Sequence, residues 1–263
     1  MAFTNDQFRL DGKVAIVTGA GGRGNSIGRA YAFGLANAGA SVVVADLNED
    51  GAKAVADEIN ASGGKAIAVQ VDITDKVKVA AMVKAAEDAF GGLDILVNNA
   101  ALMVEVVATK TIDHTPEQWE RIFKVNVNGA LYCTQAAVPA MRKRGGGRIV
   151  NQLSAGAWPP GGAYGITKLA LHGLTINLSK ELGPDNIRVN AIAPGMTKSD
   201  AGNSLTPDDS PLVKMLANVI TLKDKARGEP DELVGALVFL CSDASSWITG
   251  QAINVDGGWT SRT

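Results

Sequence analysis

The sequence predicts an α/β fold: one domain, spanning residues 1–263, in which helices cover both faces of a doubly wound parallel sheet of about seven strands. Short continuous apolar runs alternate with longer helical patterns along the chain. This alternation is typical of parallel strands that crossover helices bury on both faces. The length of 263 residues suits one large domain, and no linker or further internal repeat is evident.

The first half of the chain contains four of the expected strands. These are predicted over Lys13–Val17, Ser41–Ala45, Ala66–Val71 and Leu93–Val97. The helices between them are predicted over Ser26–Asn37, Glu49–Ala61 and Lys76–Phe90. Gly63-Gly64 and Gly91-Gly92 follow the last two helices, where glycine readily adopts the left-handed conformation that ends a helix.

The second half repeats the pattern with longer helices. Pro116 favours a helix start, and one long helix, with room for a break, is predicted from there to about Arg144. Its basic end, Arg142–Arg144, complements the helix dipole and is expected to be solvated. Further helices are predicted over Ala163–Leu182 and Pro230–Leu240, and strands over Arg148–Asn151, Ile187–Ile192 and Ala252–Val255.

Residues 198–228 interrupt this regularity. The segment is rich in Asp, Ser, Pro and Lys, with one helical piece near Leu212–Ile220. The apolar face of that piece comprises Leu212, Met215, Leu216 and Ile220. Because the segment follows the sixth strand at the ligand-binding edge of such a sheet, residues 199–228 are expected to form a substrate lid.

Composition and charge argue against several classes of function. The formal net charge is −2, so no nucleic acid or membrane surface is expected as a partner. Met1–Asp6 lacks the basic and apolar segments of a secretory signal, and a cytoplasmic location is expected. Cys133 and Cys241 lie in apolar runs and are expected to be core thiols. His114 and His172 lack ligand spacing, so no metal is expected.

A glycine-rich turn follows the first strand and opens the first helix. The stretch from Thr18 to Gly28 contains five glycines, which allow a pyrophosphate to approach the backbone at a helix N-terminus. Asp46 ends the second strand, where a carboxylate accepts hydrogen bonds from an adenosine ribose and repels a 2′-phosphate. The sequence therefore predicts a Rossmann-type site that takes NAD in preference to NADP. Arg23 beside a 2′-phosphate is the competing interpretation.

Tyr164 and Lys168 form the most informative pair in the chain. Residues four apart share one face of a helix, so the phenol and the ammonium can point into one site. The ammonium favours the phenolate, which would let the tyrosine act as an acid or base.

Taken together, the motifs resemble those of the short-chain dehydrogenase/reductase family, over essentially all residues from Leu10 to Trp259. The matching motifs are Thr18-Gly19, Asp72-Ile73, Asn98-Asn99-Ala100, Asn126, Ser154, Tyr164 with Lys168, and Pro194-Gly195. The resemblance implies that the cofactor is bound by Gly19, Asn25, Ser26, Ile27, Asp46, Leu47, Asp72, Ile73, Asn98, Ala100, Tyr164, Lys168, Pro194, Gly195, Thr197 and Ser199.

The resemblance also implies the chemistry. Tyr164 removes the proton of an alcohol or donates one to a carbonyl, and Lys168 lowers the pKa of Tyr164 and holds the nicotinamide ribose. Ser154 orients the substrate oxygen, and Asn126 holds a water that relays the proton. The expected activity is hydride transfer between a secondary alcohol, or its ketone, and nicotinamide. The family also implies a homotetramer.

The chain departs from the family pattern in ways that affect this interpretation. The glycine turn is three residues longer than usual, and Ala101 replaces the final glycine of the asparagine motif. Only ten positions separate Ser154 from Tyr164, and Trp158 in that loop either lines the pocket or packs against the core. Enoyl reductases of the same superfamily usually place six residues between tyrosine and lysine, whereas three stand here, which argues against that activity.

Two other functions compete with the dehydrogenase interpretation. A 3-oxoacyl-carrier-protein reductase would typically use NADPH, which Asp46 disfavours. A non-catalytic dinucleotide sensor would not need Asn126, Ser154, Tyr164 and Lys168 together.

Overall fold

The computed structural model describes residues 4–22, 24–107, 109–222 and 226–260. Its strands are β1 (Val14–Thr18), β2 (Ser41–Asp46), β3 (Lys65–Gln70), β4 (Ile95–Asn98), β5 (Gly147–Gln152), β6 (Ile187–Pro194) and β7 (Ala252–Val255). Its helices are α1 (Ile27–Asn37), α2 (Glu49–Ala61), α3 (Lys76–Phe90), α4 (Val104–Val107), α5 (Pro116–Phe123), α6 (Ala130–Lys143), α7 (Gly162–Leu182), α8 (Asp200–Leu205), α9 (Pro211–Val219) and α10 (Val234–Cys241).

The seven strands form one parallel sheet in the order β3-β2-β1-β4-β5-β6-β7. This confirms the predicted fold class. The strand order changes direction between β1 and β4, and ligands of such sheets bind beyond the carboxyl ends of the strands at that point. The ends of β1, β4 and β5 therefore define where a site must lie.

Alternate residues of the central strands pack into two separate hydrophobic cores, one on each face of the sheet. Val17, Val97 and Val150 pack on the face covered by α1, α2 and α10. Their neighbours Ile16 and Ile149 pack on the opposite face, against α3, α6 and α7. Because both faces are covered, the strands must be apolar at every position, which is why they read as continuous apolar runs.

The predicted long helix is broken in the middle. It consists of α5 and α6 joined by a π-helical segment, Lys124–Gly129. At Gly129 an added Cβ would lie 2.5 Å from Cδ1 of Ile73, so the helix passes very close to the loop after β3. Asn126, in this π-helical segment, also accepts a hydrogen bond from Leu102 N and donates one to the Leu102 carbonyl in the loop after β4. Insertions of this kind are frequent at functional sites.

The structure adds two short helices, α4 and α8, that the sequence pattern does not reveal. The hydroxyl of Ser199 caps α8 by accepting a hydrogen bond from Gly202 N at 3.1 Å. The predicted helical piece of the lid is α9. Within it Leu216 and the following Ile220 are buried as expected, whereas Leu212 and Met215 are largely exposed.

Cys133 and Cys241 are buried free thiols, and burial raises the pKa of each to about 12. Within the described ranges, no helix combines the length and the apolar character that crossing a bilayer requires.

Candidate active site

A cavity of about 680 Å³ extends along the carboxyl ends of the strands. One end of the cavity is lined by Asp46, the last residue of β2, and by Asp72, which follows β3. The other end is lined by Tyr164 and Lys168 of α7, next to β5. The glycine turn after β1 lies between them. The glycine turn, the two aspartates and the tyrosine–lysine pair, which stand far apart along the chain, thus line a single cavity.

Backbone geometry makes the glycine turn a narrow cradle. Gly19 has a φ of +67°, and a Cβ at Gly28 would lie 2.1 Å from the carbonyl oxygen of Gly19. Asn99 holds the turn against β4, because its Nδ2 donates to the carbonyl oxygens of Thr18 at 2.9 Å and Gly19 at 3.0 Å. The turn precedes the N-terminus of α1, where Ser26 is the cap. A side chain at either glycine would collide with neighbouring backbone, so the glycines let the turn pack closely against α1 and β4. A tight turn at a helix N-terminus fits the pyrophosphate of a dinucleotide.

Asp46 has a structural task in addition to any ligand. Its Oδ2 accepts from Gly21 N at 2.8 Å and its Oδ1 accepts from Asn48 N at 2.9 Å. The carboxylate thereby braces the glycine turn at the edge of the cavity. Each oxygen retains a further lone pair, so both can also accept from ribose hydroxyls. Arg23, the predicted competitor for a 2′-phosphate, lies outside the described residues.

Tyr164 and Lys168 occupy successive turns of α7. Nζ of Lys168 lies 5.4 Å from the centroid of the Tyr164 ring and donates to the carbonyl oxygen of Gln152 at 2.7 Å. Lys168 is 1% exposed. The Tyr164 ring packs on Val106, Ile122 and Ala163, which anchors it between α4, α5 and α7. Of the three N–H donors of Lys168, two remain for a ligand.

Burial shifts the two groups in opposite directions. Removal from water lowers the pKa of Lys168 to about 7. The same effect raises the pKa of Tyr164 above its usual value. Both shifts favour the neutral forms, because a charged group loses its hydration on burial. The expectation that Lys168 lowers the pKa of Tyr164 is therefore not met in the protein alone.

Asn126 is bonded to α7, and Ser154 follows β5, but neither residue lines the cavity. The side chain of Asn126 donates to Oγ1 of Thr167, the residue before Lys168, at 3.0 Å, and its other bonds go to the Leu102 backbone. These bonds use both Nδ2 protons of Asn126 and one of the two lone pairs of its Oδ1. Oγ of Ser154 accepts from Gly156 N at 3.1 Å, and its hydroxyl proton remains available.

The other predicted cofactor residues divide into two groups. Those that line the cavity are Gly19, Ser26, Ile27, Asp46, Leu47, Asp72, Ile73, Ala100 and Ser199. Those that do not line it are Asn25, Asn98, Pro194, Gly195 and Thr197.

Three residues of the second group hold the fold together through hydrogen bonds. The Nδ2 of Asn98 donates to Asn151 at 2.9 Å inside the core. The Nδ2 of Asn25 donates to the Lys198 carbonyl at 2.8 Å, and Arg227 donates to the Thr197 carbonyl at 2.7 Å.

Several cavity residues were missed by sequence reasoning. Gln152 ends β5 and has no motif around it, and Asn99 was named only as part of the asparagine motif. Arg121 and Lys124, on α5 and the π-helical segment, also line the cavity. Trp158 packs on the small cluster around Leu153 and Leu171 and meets the ring of His172 edge-on at 4.9 Å. This arrangement favours packing over pocket lining for Trp158.

The fold and the site define a class of protein: an α/β dinucleotide-binding protein with a buried tyrosine–lysine pair at one end of its cofactor cleft. A family model described as Enoyl-(Acyl carrier protein) reductase matches residues 22–260. The chain belongs to the short-chain dehydrogenase/reductase family.

Individual similar proteins narrow the class of activity further. An uncharacterised oxidoreductase of Mycobacterium tuberculosis is 49% identical over 253 residues, covering 95% of this chain and 98% of that protein. A 7α-hydroxysteroid dehydrogenase in complex with NADH and 7-oxo glycochenodeoxycholic acid is 38% identical, with a TM-score of 0.89 and 98% of each chain covered.

A gluconate 5-dehydrogenase of Burkholderia cenocepacia, in complex with NADP and tartrate, is 34% identical, with a TM-score of 0.89 over 98% of this chain and 99% of that one. The present chain is thus an oxidoreductase of CH–OH groups that interconverts secondary alcohols and ketones with a nicotinamide dinucleotide. The carrier-protein reductase and the sensor are not favoured.

Proposed function

We propose that this protein transfers hydride between a carbon-rich secondary alcohol, or its ketone, and NAD, with Tyr164 as the acid/base. One observation carries the proposal: Tyr164 and Lys168 line the same cavity as Asp46, with the glycine turn between them. A bound nicotinamide ring takes up or releases the hydride. The protein's own task is to align the substrate carbon and to move the proton of its hydroxyl.

The proton of the substrate hydroxyl has a defined route out of the site. Tyr164 takes it from the substrate hydroxyl, and Ser154 donates a hydrogen bond to the same oxygen. Lys168 has a pKa of about 7 and titrates near neutral pH. Hydrogen bonds from its two remaining N–H groups to ribose oxygens favour the ammonium, which in turn lowers the pKa of Tyr164. The Asn126 carbonyl, in the π-helical segment, holds the water through which the proton leaves.

We infer a preference for NAD from Asp46. A 2′-phosphate at this edge would meet a carboxylate already committed to Gly21 and Asn48, and Asp46 could not turn away without loosening the glycine turn. Repulsion between the two anions therefore disfavours NADP.

The substrate class is inferred from the wall beside Tyr164. Val106 of α4 packs against the Tyr164 ring, and Met103 lines the cavity next to it. Val104 and Val107 of the same helix remain partly exposed, at 40% and 48%. Apolar side chains at this position favour extended carbon-rich alcohols, such as hydroxysteroids, over sugars and phosphorylated compounds.

A screen for NADH formation tests the proposal. Hydroxysteroids, cyclic alcohols, hydroxy acids and sugars are offered with NAD and with NADP, and kcat/KM is compared. We expect the highest values for a hydroxysteroid or cyclic alcohol with NAD. Tyr164→Phe should lower kcat by at least about 10²-fold, the usual scale for a general acid–base group, while binding of NADH is retained.

Three results would count against the proposal. Near-normal turnover by Tyr164→Phe would remove the acid/base role. Equal or better efficiency with NADP would show that Asp46 does not set the preference. A strict requirement for a phosphorylated substrate would refute the apolar wall.

A further inference from the structure

Gln152 is a buried polar residue at the carboxyl end of its strand, β5. It is the last residue of β5, 6% exposed, and lines the cavity together with Tyr164 and Lys168. Side chains two apart on a strand share a face, so Gln152 lies on the side of Val150, toward α1 and α10. A glutamine buried at this place requires an account of its hydrogen bonds.

The carboxamide of Gln152 is oriented by Tyr31, on the neighbouring helix α1. The hydroxyl of Tyr31, which is fully buried on α1, donates to Oε1 of Gln152 at 2.7 Å. Burial raises the pKa of Tyr31 far above its usual value, so the hydroxyl stays a neutral donor. The backbone carbonyl of Gln152 is occupied as well, because it accepts from Lys168 Nζ.

One group of Gln152 is left over. Its Nε2 has no acceptor among the residues that the structure describes, and it is not sealed away from the cavity. A donor held in a partly dry site gains from an acceptor, and leaving it unmet costs free energy. The orientation imposed by Tyr31 leaves the cavity as the source of that acceptor.

The position of β5 tells which part of a dinucleotide would supply it. Asp46, the proposed acceptor for the adenosine ribose, ends β2 on one side of β1, whereas β5 lies two strands from β1 in the other direction. Gln152 shares its end of the cavity with the proposed acid/base pair. An oxygen that meets Nε2 therefore belongs to the nicotinamide half of the cofactor.

We propose that Gln152, oriented by Tyr31, donates a hydrogen bond to an oxygen of the nicotinamide riboside half of the cofactor. The inference rests on the proposed function, since it assumes that the cleft holds a nicotinamide dinucleotide. It adds a contact that positions the reactive half of the cofactor and that no sequence motif identifies. Gln152 then holds that half of the cofactor through its side chain. Lys168 holds it through its ammonium, which the backbone carbonyl of Gln152 anchors.

Binding of NADH and of ADP separates this contact from a general effect on the fold. ADP occupies only the adenine half of the site. For Gln152→Leu we expect NADH to bind about three- to tenfold more weakly, the effect of losing one neutral hydrogen bond, with ADP affinity within about twofold of wild type. Tyr31→Phe, which removes only the orienting hydroxyl, should weaken NADH in the same direction by less. Isothermal titration calorimetry measures the dissociation constants of NADH and ADP for the wild type and both variants.

Gln135→Leu and Tyr132→Phe are the matched controls, because both residues lie on α6 away from the cavity lining. Neither should change the affinity for NADH. The Tyr31→Phe variant also keeps the test decisive if Gln152→Leu does not fold.

Unchanged NADH affinity in both site variants would overturn the assignment of Gln152 and leave the proposed function standing. An equal loss for ADP and NADH would also overturn it, since the effect would then come from general damage to the cleft. A wild-type protein that binds ADP but not NADH would remove the proposed function and this inference together.

Discussion

The charge of Lys168 is the residue-level property on which the site depends most. The ammonium is needed beside Tyr164, yet among the described residues its only hydrogen bond goes to the neutral carbonyl of Gln152. Burial therefore dominates and holds the pKa of Lys168 at about 7. In the unfolded chain the same group titrates near 10.4. The fold thus holds Lys168 close to its titration midpoint, where a ligand can decide its charge.

This shift makes a prediction about stability. Between pH 7 and about 10 the unfolded chain carries a proton on Lys168 that the folded protein lacks, so the free energy of unfolding should rise with pH, by up to about 1.4 kcal/mol per pH unit. Lys168→Met lacks this term. Urea unfolding of both proteins at pH 7, 8 and 9 should show the wild type gaining stability relative to the variant. Parallel pH profiles would show that burial does not lower the pKa of Lys168.

Which site residues the sequence could predict depends on what fixes them. The helical spacing of Tyr164 and Lys168 and the position of Asp46 at a strand end were enough to predict that these residues share one cavity, as they do. Asn25 and Gln152 are decided by tertiary partners, the Lys198 carbonyl and the Tyr31 hydroxyl. No spacing along the chain encodes those partners.

Among the secondary-structure elements, regular ones were predictable and irregular ones were not. The strands agree with their apolar runs to within two residues at each end because both faces of the sheet are buried. The π-helical segment could not be located, since it depends on the contacts of Asn126 with Leu102 and of Gly129 with Ile73. Helix α8 depends on a single cap at Ser199.

The proposed lid is fixed at its two stems. Thr197 and Gly228 form a parallel bridge, and the buried guanidinium of Arg227 donates to the carbonyl oxygens of Thr197 at 2.7 Å and Thr206 at 3.0 Å. In the lengthened glycine turn, Asn25 N donates to the side-chain Oδ2 of Asp200 and the Asn25 carbonyl accepts from Asp200 N, which ties one stem to the cofactor site. Any closing motion must therefore occur between these stems, in the region of α9.

Hydrogen exchange tests that motion. Peptides covering α9 should exchange at least about tenfold more slowly with NADH and a substrate analogue than without them, because Leu212 and Met215 would become covered. Peptides from α8, already held by Arg227, should change less, and those from α3 serve as an unaffected control. Equal exchange of α9 in both states would show that the segment is rigid.

At the scale of the whole molecule, several basic side chains form ion pairs that join different elements of the fold. The three basic residues that end α6 pair with Asp185, Glu87 and Asp94 on different elements, at 2.7, 2.9 and 3.2 Å. Since most of these pairs are exposed, each contributes little to stability. Their effect is to join this helix end to three neighbouring segments of the fold.

The apolar surface of α7 makes a prediction about assembly. Leu169 and Ile176 lie seven residues apart, on one face of the helix that carries Tyr164, and are 38% and 37% exposed. A second copy of the chain would cover this face, as expected for a homotetramer, and would stiffen the helix that positions the acid/base. Light scattering should give a wild-type mass four times that of the chain. Ile176→Glu should lower it, whereas Ile112→Glu, at an 89% exposed position in a turn, should not. A monomeric wild type would show that α7 is complete without a partner.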